Sequence, residues 1–150
     1  MALKPDRQVG LTLRHYSMDV LTERGRIVIS DPSDNDNVIL PPAILVGDEN
    51  PLGIILEDVE DLDFTSRPEL LHRNVVASGG AVTIAMTGEY RTNMVASGVT
   101  PSAGETAFLA GLGQLSNVEL PGVGSGIPVG RFLSGLDSDG FVFVAIDTVN

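Results

Sequence analysis

Pro51-Leu52-Gly53-Ile54-Ile55-Leu56, followed by Gly80-Ala81-Val82-Thr83-Ile84-Ala85-Met86, returns near the end of the chain. There it reads Pro128-Val129-Gly130-Arg131-Phe132-Leu133, followed by Gly140-Phe141-Val142-Phe143-Val144-Ala145-Ile146. Both pairs have the form P-x-G-x-x-L, a loop, then G-x-V-x-[IV]-A-[MI]. In the second member apolar side chains recur at every other position, with Val82, Ile84 and Met86 on one face, which is the period of a strand. A strand–loop–strand unit used twice describes a small β-barrel or β-sandwich. Short apolar strands also resemble one another by chance, so a duplication and two unrelated strand pairs both stay open.

Working outward, Arg26 to Ser30 is the first strand expected of the body, ending in the turn-forming run Asp31-Pro32-Ser33-Asp34-Asn35-Asp36-Asn37. Val38–Leu40 and Ala43–Val46 flank Pro41-Pro42, which cannot donate to a ladder and predicts an edge strand or bend. Tyr90–Val95 is expected to pair with Gly80–Met86, and Leu112–Leu115 to turn a hairpin corner. Pro121–Gly126 reads as a loop. Ser66-Arg67-Pro68-Glu69 has the form of a capping box and predicts a short helical turn through Leu70 and Leu71. In the last strand Val142, Val144 and Ile146 form one apolar face and Phe141, Phe143 and Ala145 the other. A strand apolar on both faces needs a cover on both, from its own chain or from a neighbouring subunit.

The fold expected is therefore mostly β, a small barrel or sandwich with little helix and an extended N-terminal arm over residues 1–26. The body would span 27–150, divided by the repeat at about 27–86 and 87–150. A chain of 150 residues is long enough to bury a real core. Cysteine is absent, which excludes disulfides, zinc–thiolate sites and cysteine nucleophiles. No stretch approaches the ~20 apolar residues of a membrane-spanning helix. The first residues lack the apolar core of a signal peptide, so synthesis in the cytoplasm is expected.

Net charge is −11, and its distribution is uneven. Residues 1–26 hold five bases (Lys4, Arg7, Arg14, Arg24, Arg26) against three acids, a net of +2. The other 124 carry a net of −13, with no Lys or Arg from Ile27 to Ser66. An acidic body repels phosphate backbones and disfavours nucleic acid as a partner. A basic arm suits an acidic protein surface, either a partner's or its own body.

Catalytic signatures are lacking. His15 and His72 have no metal-ligand spacing. Gly124-Ser125-Gly126 is not a nucleophile elbow, and Gly122, Gly124 and Gly126 precede no helix that could hold a phosphate. Asp34–Asn37 and Asp137–Gly140 resemble pieces of calcium loops without the remaining ligands, and read as solvated turns, with weak calcium binding as the alternative. No catalytic, cofactor or metal residues are assigned.

Residues 75–148 resemble the cement or decoration proteins of tailed-phage heads. The likeness is carried by Gly80-x-Val82-x-Ile84, by Pro101-x-x-Gly104 before a strand, and by Gly113-x-Leu115. It ends with Ile127-Pro128-Val129-Gly130-Arg131-Phe132-Leu133 ahead of an alternating last strand. Ala2–Arg7 and Glu23–Val28 are similar to segments of other tailed-phage virion proteins. The resemblance implies a non-enzymatic β-protein without cofactor that attaches in many copies, often as trimers, to the outside of the expanded capsid and stiffens it. Its partners would be the major capsid protein and itself, and its location the outer virion surface. A neck, tail or fibre-base role and a displayed glycan- or host-binding module are the alternatives. About 75 N-terminal residues have no counterpart in the shorter members of such families. On this reading Lys4, Arg7, Val9, Leu11, Leu13 and Arg14 contact the capsid, with Val9, Leu11 and Leu13 alternating as an added strand would. Phe141 and Phe143 would form the subunit interface.

Overall fold

A computed structural model describes residues 12–60, 75–119 and 126–149. Lys4, Arg7, Val9, Leu11, the helical turn expected at 66–71, His72 and most of the 121–126 loop lie outside the described residues. Eleven strands are described: β1 (Thr12–Ser17), β2 (Ile27–Asp31), β3 (Asp34–Ile39), β4 (Pro51–Ile55), β5 (Asp58–Glu60), β6 (Val75–Ala77), β7 (Ala81–Thr92), β8 (Thr106–Leu109), β9 (Leu115–Ser116), β10 (Pro128–Phe132) and β11 (Val142–Asp147). The β-rich class expected from the sequence is correct, and a 3-10 turn at Gly111–Gly113 is the only helical piece among the described residues. Nine strands form one sheet in the order β1-β3-β2-β4-β7-β11-β10-β8-β9, and β5 and β6 make a small parallel pair.

β1 pairs a second time, with β7, which rolls one half of the sheet around Met18, Val28, Val38, Ile55, Val59, Val82 and Ile84. A second cluster, including Leu109, Leu115, Phe132, Val142, Val144 and Ile146, fills the other half. β2 separates the two: Val28 points into the first cluster, and Ile27 and Ile29 into the second. Three consecutive apolar residues are buried there because both faces of the strand are covered. The result is β-sandwich-like rather than a closed barrel.

The repeat survives as geometry. β4 and β7 pair antiparallel with Ile54 opposite Ala85 and Ile55 opposite Ile84. β10 and β11 pair antiparallel with Arg131 opposite Ala145 and Phe132 opposite Val144. Motif position for motif position, these are the same pairs. Gly53 and Gly130 are also equivalent, and a Cβ on either would overlap the carbonyl oxygen of the partner alanine, Ala85 or Ala145. The two strand pairs thus share a register and a close glycine–carbonyl approach.

The two strand pairs meet where β7 lies antiparallel to β11, with Thr87 opposite Asp147. Those residues hold the same motif position, so a pseudo-twofold passes between them. β11 runs out just beyond, where the Thr148 N–H donates to the Met86 carbonyl at 3.0 Å. β1 then takes over that edge of β7: it pairs from Thr12 opposite Thr87 to Ser17 opposite Ala81, and the Met18 N–H donates to the Gly80 carbonyl at 3.2 Å.

Three sequence expectations change. Residues 12–26, expected as part of an arm, are built into the body: β1 is a sheet strand, Met18 is fully buried and Thr22 bridges Val59. Tyr90 continues the same strand as Ala81 instead of turning back on it, so the division at 86/87 falls inside β7. Asp34–Asp36 is the exposed start of β3 and Asn37 is buried; the strand is joined to β2 by a turn at Pro32-Ser33. Of the edge strand or bend expected around Pro41-Pro42, the structure has the bend: Ala43–Val46 is a loop, with Leu45 as a plug in the core.

Candidate interaction surfaces

Of the residues assigned to capsid contact, Leu13 and Arg14 are described. Both are exposed, Leu13 at 44%. Leu13, which alternation marked as strand, does lie in one, but that strand lies against the chain's own β7, with Leu13 opposite Ala85 and Arg14 opposite Ile84. Arg24 and Arg26, counted in the basic arm, make contacts within the chain. The Arg24 guanidinium pairs with Asp58 at 3.3 Å while its backbone N–H donates to the same carboxylate at 2.7 Å. The Arg26 Nη1 donates to the Leu112 carbonyl at 2.9 Å.

The two phenylalanines assigned to self-association differ in environment. Arg91 lies over the Phe141 ring, 4.5 Å from its centroid, and bonds the Asp137 carboxylate. Phe143 stands half exposed, opposite Arg91 on β7, and its carbonyl accepts the Leu133 N–H at 2.8 Å. The neighbouring row reads Glu89–Ala145–Arg131 across β7, β11 and β10. This face thus offers Phe143, Leu133 and Ala145 between charges of both signs.

The acidic turns have internal work. Asp31 Oδ1 accepts the Ser33 N–H and hydroxyl, and Asp34 Oδ1 accepts the Asp36 N–H. Asp137 Oδ1 accepts the Asp139 and Phe141 N–H groups. The Arg91 hydrogen bond, then the one from Phe141, holds the Asp137 carboxyl below the usual carboxylate range. Among the described residues no group of His, Asp and Glu is arranged to hold a metal ion.

A further surface was not foreseen. Ile44 and Val46 are 83% and 69% exposed and flank the buried Leu45. Glu49 fixes the loop that shows them: its two carboxylate oxygens accept the Val46 and Gly47 N–H groups at 2.8 and 2.9 Å. Burial works against ionisation of Glu49, yet the backbone N–H bonds together outweigh it and the pKa lies below the usual carboxylate value. A depressed folded-state pKa stabilises at pH above the ordinary glutamate range, and that stabilisation is lost as pH falls through the lowered value. Acid titration followed by NMR is expected to move the Val46 and Gly47 amide signals together in that window. Glu49→Gln can satisfy one N–H but not both, so urea unfolding is expected to show a loss of about 1–3 kcal/mol. An unchanged midpoint would remove the carboxylate from its holding role.

No protein-family model and no curated protein matches this chain. Its fold is similar to the crystal structure of the head fiber gp8.5 N base of bacteriophage phi29. The TM-score is 0.52 at 10% sequence identity, over 92% of this chain and 95% of that one. At that identity the likeness shows a shared fold.

Proposed function

We propose that this chain is a non-enzymatic structural protein of a tailed-phage virion that attaches in many copies to the outside of the head and stabilises its expanded form. One observation carries the reading: the fold matches a phage head-fibre base over nearly the whole of both chains. The residue-level resemblance of 75–148 to head cement proteins points to the same surface on separate grounds. A fibre base is the second reading, favoured by the description of that neighbour. The partners on either reading are the major capsid protein and further copies of this chain, arranged as a trimer.

Co-sedimentation of the purified protein with expanded, undecorated heads tests it. Saturation at on the order of hundreds of copies per head supports a cement protein, whose weak single contacts act together. A few dozen sites per head or fewer support a fibre base, and no binding removes both. A chain lacking residues 2–11 loses Lys4, Arg7, Val9 and Leu11 and is expected to lose head binding; retained binding would refute contact by those four residues. Self-association rests on the face around Phe143. Phe143→Asp is expected to turn the trimer into monomers in sedimentation velocity at an unchanged unfolding midpoint, since the side chain is half exposed. A trimer that persists would move the subunit contact elsewhere.

A further inference from the structure

We propose that the groove between the β2–β3 hairpin and the 43–50 loop is a docking site for a basic protein segment carrying an aliphatic side chain. The groove has a volume of about 510 Å³; Ile29, Ile39, Pro42 and Val46 supply apolar surface, while Asp31 and Asp48 supply acidic groups. Val46 and its neighbour Ile44 are the most exposed large apolar residues among those described.

The loop cannot fold them away. Leu45 is anchored in the core, Glu49 holds the Val46 and Gly47 backbone, and the Leu112 N–H donates to the Pro42 carbonyl at 3.2 Å. Gly47 has φ +98°, a conformation that spares glycine the strain other residues would meet. Apolar side chains held rigidly in water lose little conformational freedom on being covered, which favours their use as docking anchors.

Charge selects the occupant. Between Ile27 and Glu60 the chain has no Lys or Arg, while Asp31, Asp34, Asp36 and Asp48 surround the groove and its hairpin. Phosphate backbones and anionic lipid surfaces are repelled by that rim; a lysine- or arginine-bearing segment is drawn to it. The apolar floor then discriminates among basic segments, accepting those that bring an aliphatic side chain. This inference does not depend on the head reading.

The test uses the full chain and three synthetic peptides: alternating lysine and leucine, the same with serine for leucine, and alternating glutamate and leucine. The methyl signals of Ile39, Ile44 and Val46 are followed by NMR. The lysine–leucine peptide is expected to shift them and the other two are not. Val46→Ser is expected to weaken binding roughly fivefold or more, Asp48→Asn to weaken it and flatten its salt dependence, both at unchanged unfolding midpoints. Equal binding of the serine peptide would reduce the site to a charge effect and overturn the proposal, as would the absence of methyl shifts. Concentration-dependent shifts without peptide, abolished by Val46→Ser, would show that a second copy of this chain is the occupant.

Discussion

Gly130→Ala is expected to cost about 3 kcal/mol or more, and Gly53→Ala a similar amount, in urea unfolding. A Cβ at either position would overlap a backbone carbonyl oxygen, that of Ala145 or Ala85, and a backbone atom in the middle of a sheet cannot swing aside as a side-chain tip can. Relief would require separating β10 from β11, or β4 from β7, at the pairs that define the repeat. Typical domains have only about 5–15 kcal/mol in total, so the double substitution should fail to fold. Gly98→Ala is the comparison: its φ is +79° but nothing lies within 4 Å of the added carbon. It should therefore show the backbone cost alone, about 1–2 kcal/mol. If Gly130→Ala were no worse than Gly98→Ala, the close approach would not matter and the glycines of the motif would be coincidence.

The glycine positions also mark what could be read without coordinates. Alternation in 142–146 reports burial on one face; in 82–86 it marks Val82 and Ile84 but not Ala85, which is buried on the opposite face, and P-x-G ahead of each strand reports a partner that comes close. Both are local signals, and both were legible. β7 was misread because Gly88 and Glu89 interrupt the apolar pattern, while the strand continues through backbone pairing with β11. Asp34–Asp36 was misread for a related reason: these side chains face water, and only the ladder to β2 makes them strand. Periodicity marked Leu13 as strand-like but could not say which edge the strand joins, since that depends on β11 ending near Thr148 and leaving part of β7 open. Of the residues assigned to surface contacts, Leu13, Arg14 and Phe143 are exposed. Ile44 and Val46 were missed because their display depends on Glu49, and nothing in Val46-Gly47-Asp48-Glu49 tells a buried carboxylate clamp from one more acidic turn.

A chain that begins after Met18 is expected not to fold, whereas one that begins at Thr12 keeps every described contact and should keep its unfolding midpoint. Loss of β1 removes six residue pairs from β7 and takes fully buried Met18 out of the first cluster. It also removes neighbours of Val82 and Ile84, both 0% exposed in the intact chain. Truncating one buried methionine to alanine costs about 2–5 kcal/mol, and the broken ladder leaves backbone groups of β7 without partners. Together these approach the whole stability of a typical domain. Far-UV circular dichroism and urea titration of the two truncations would read the difference directly. A cooperative transition at the full-length midpoint in the shorter chain would mean that residues 12–18 are an appendage and that the sheet is complete without them. The same boundary governs the head-binding test: deleting 2–26 as one arm would confuse lost binding with lost fold, while stopping at residue 11 separates Lys4, Arg7, Val9 and Leu11 from the strand that pairs with β7 beyond the end of β11.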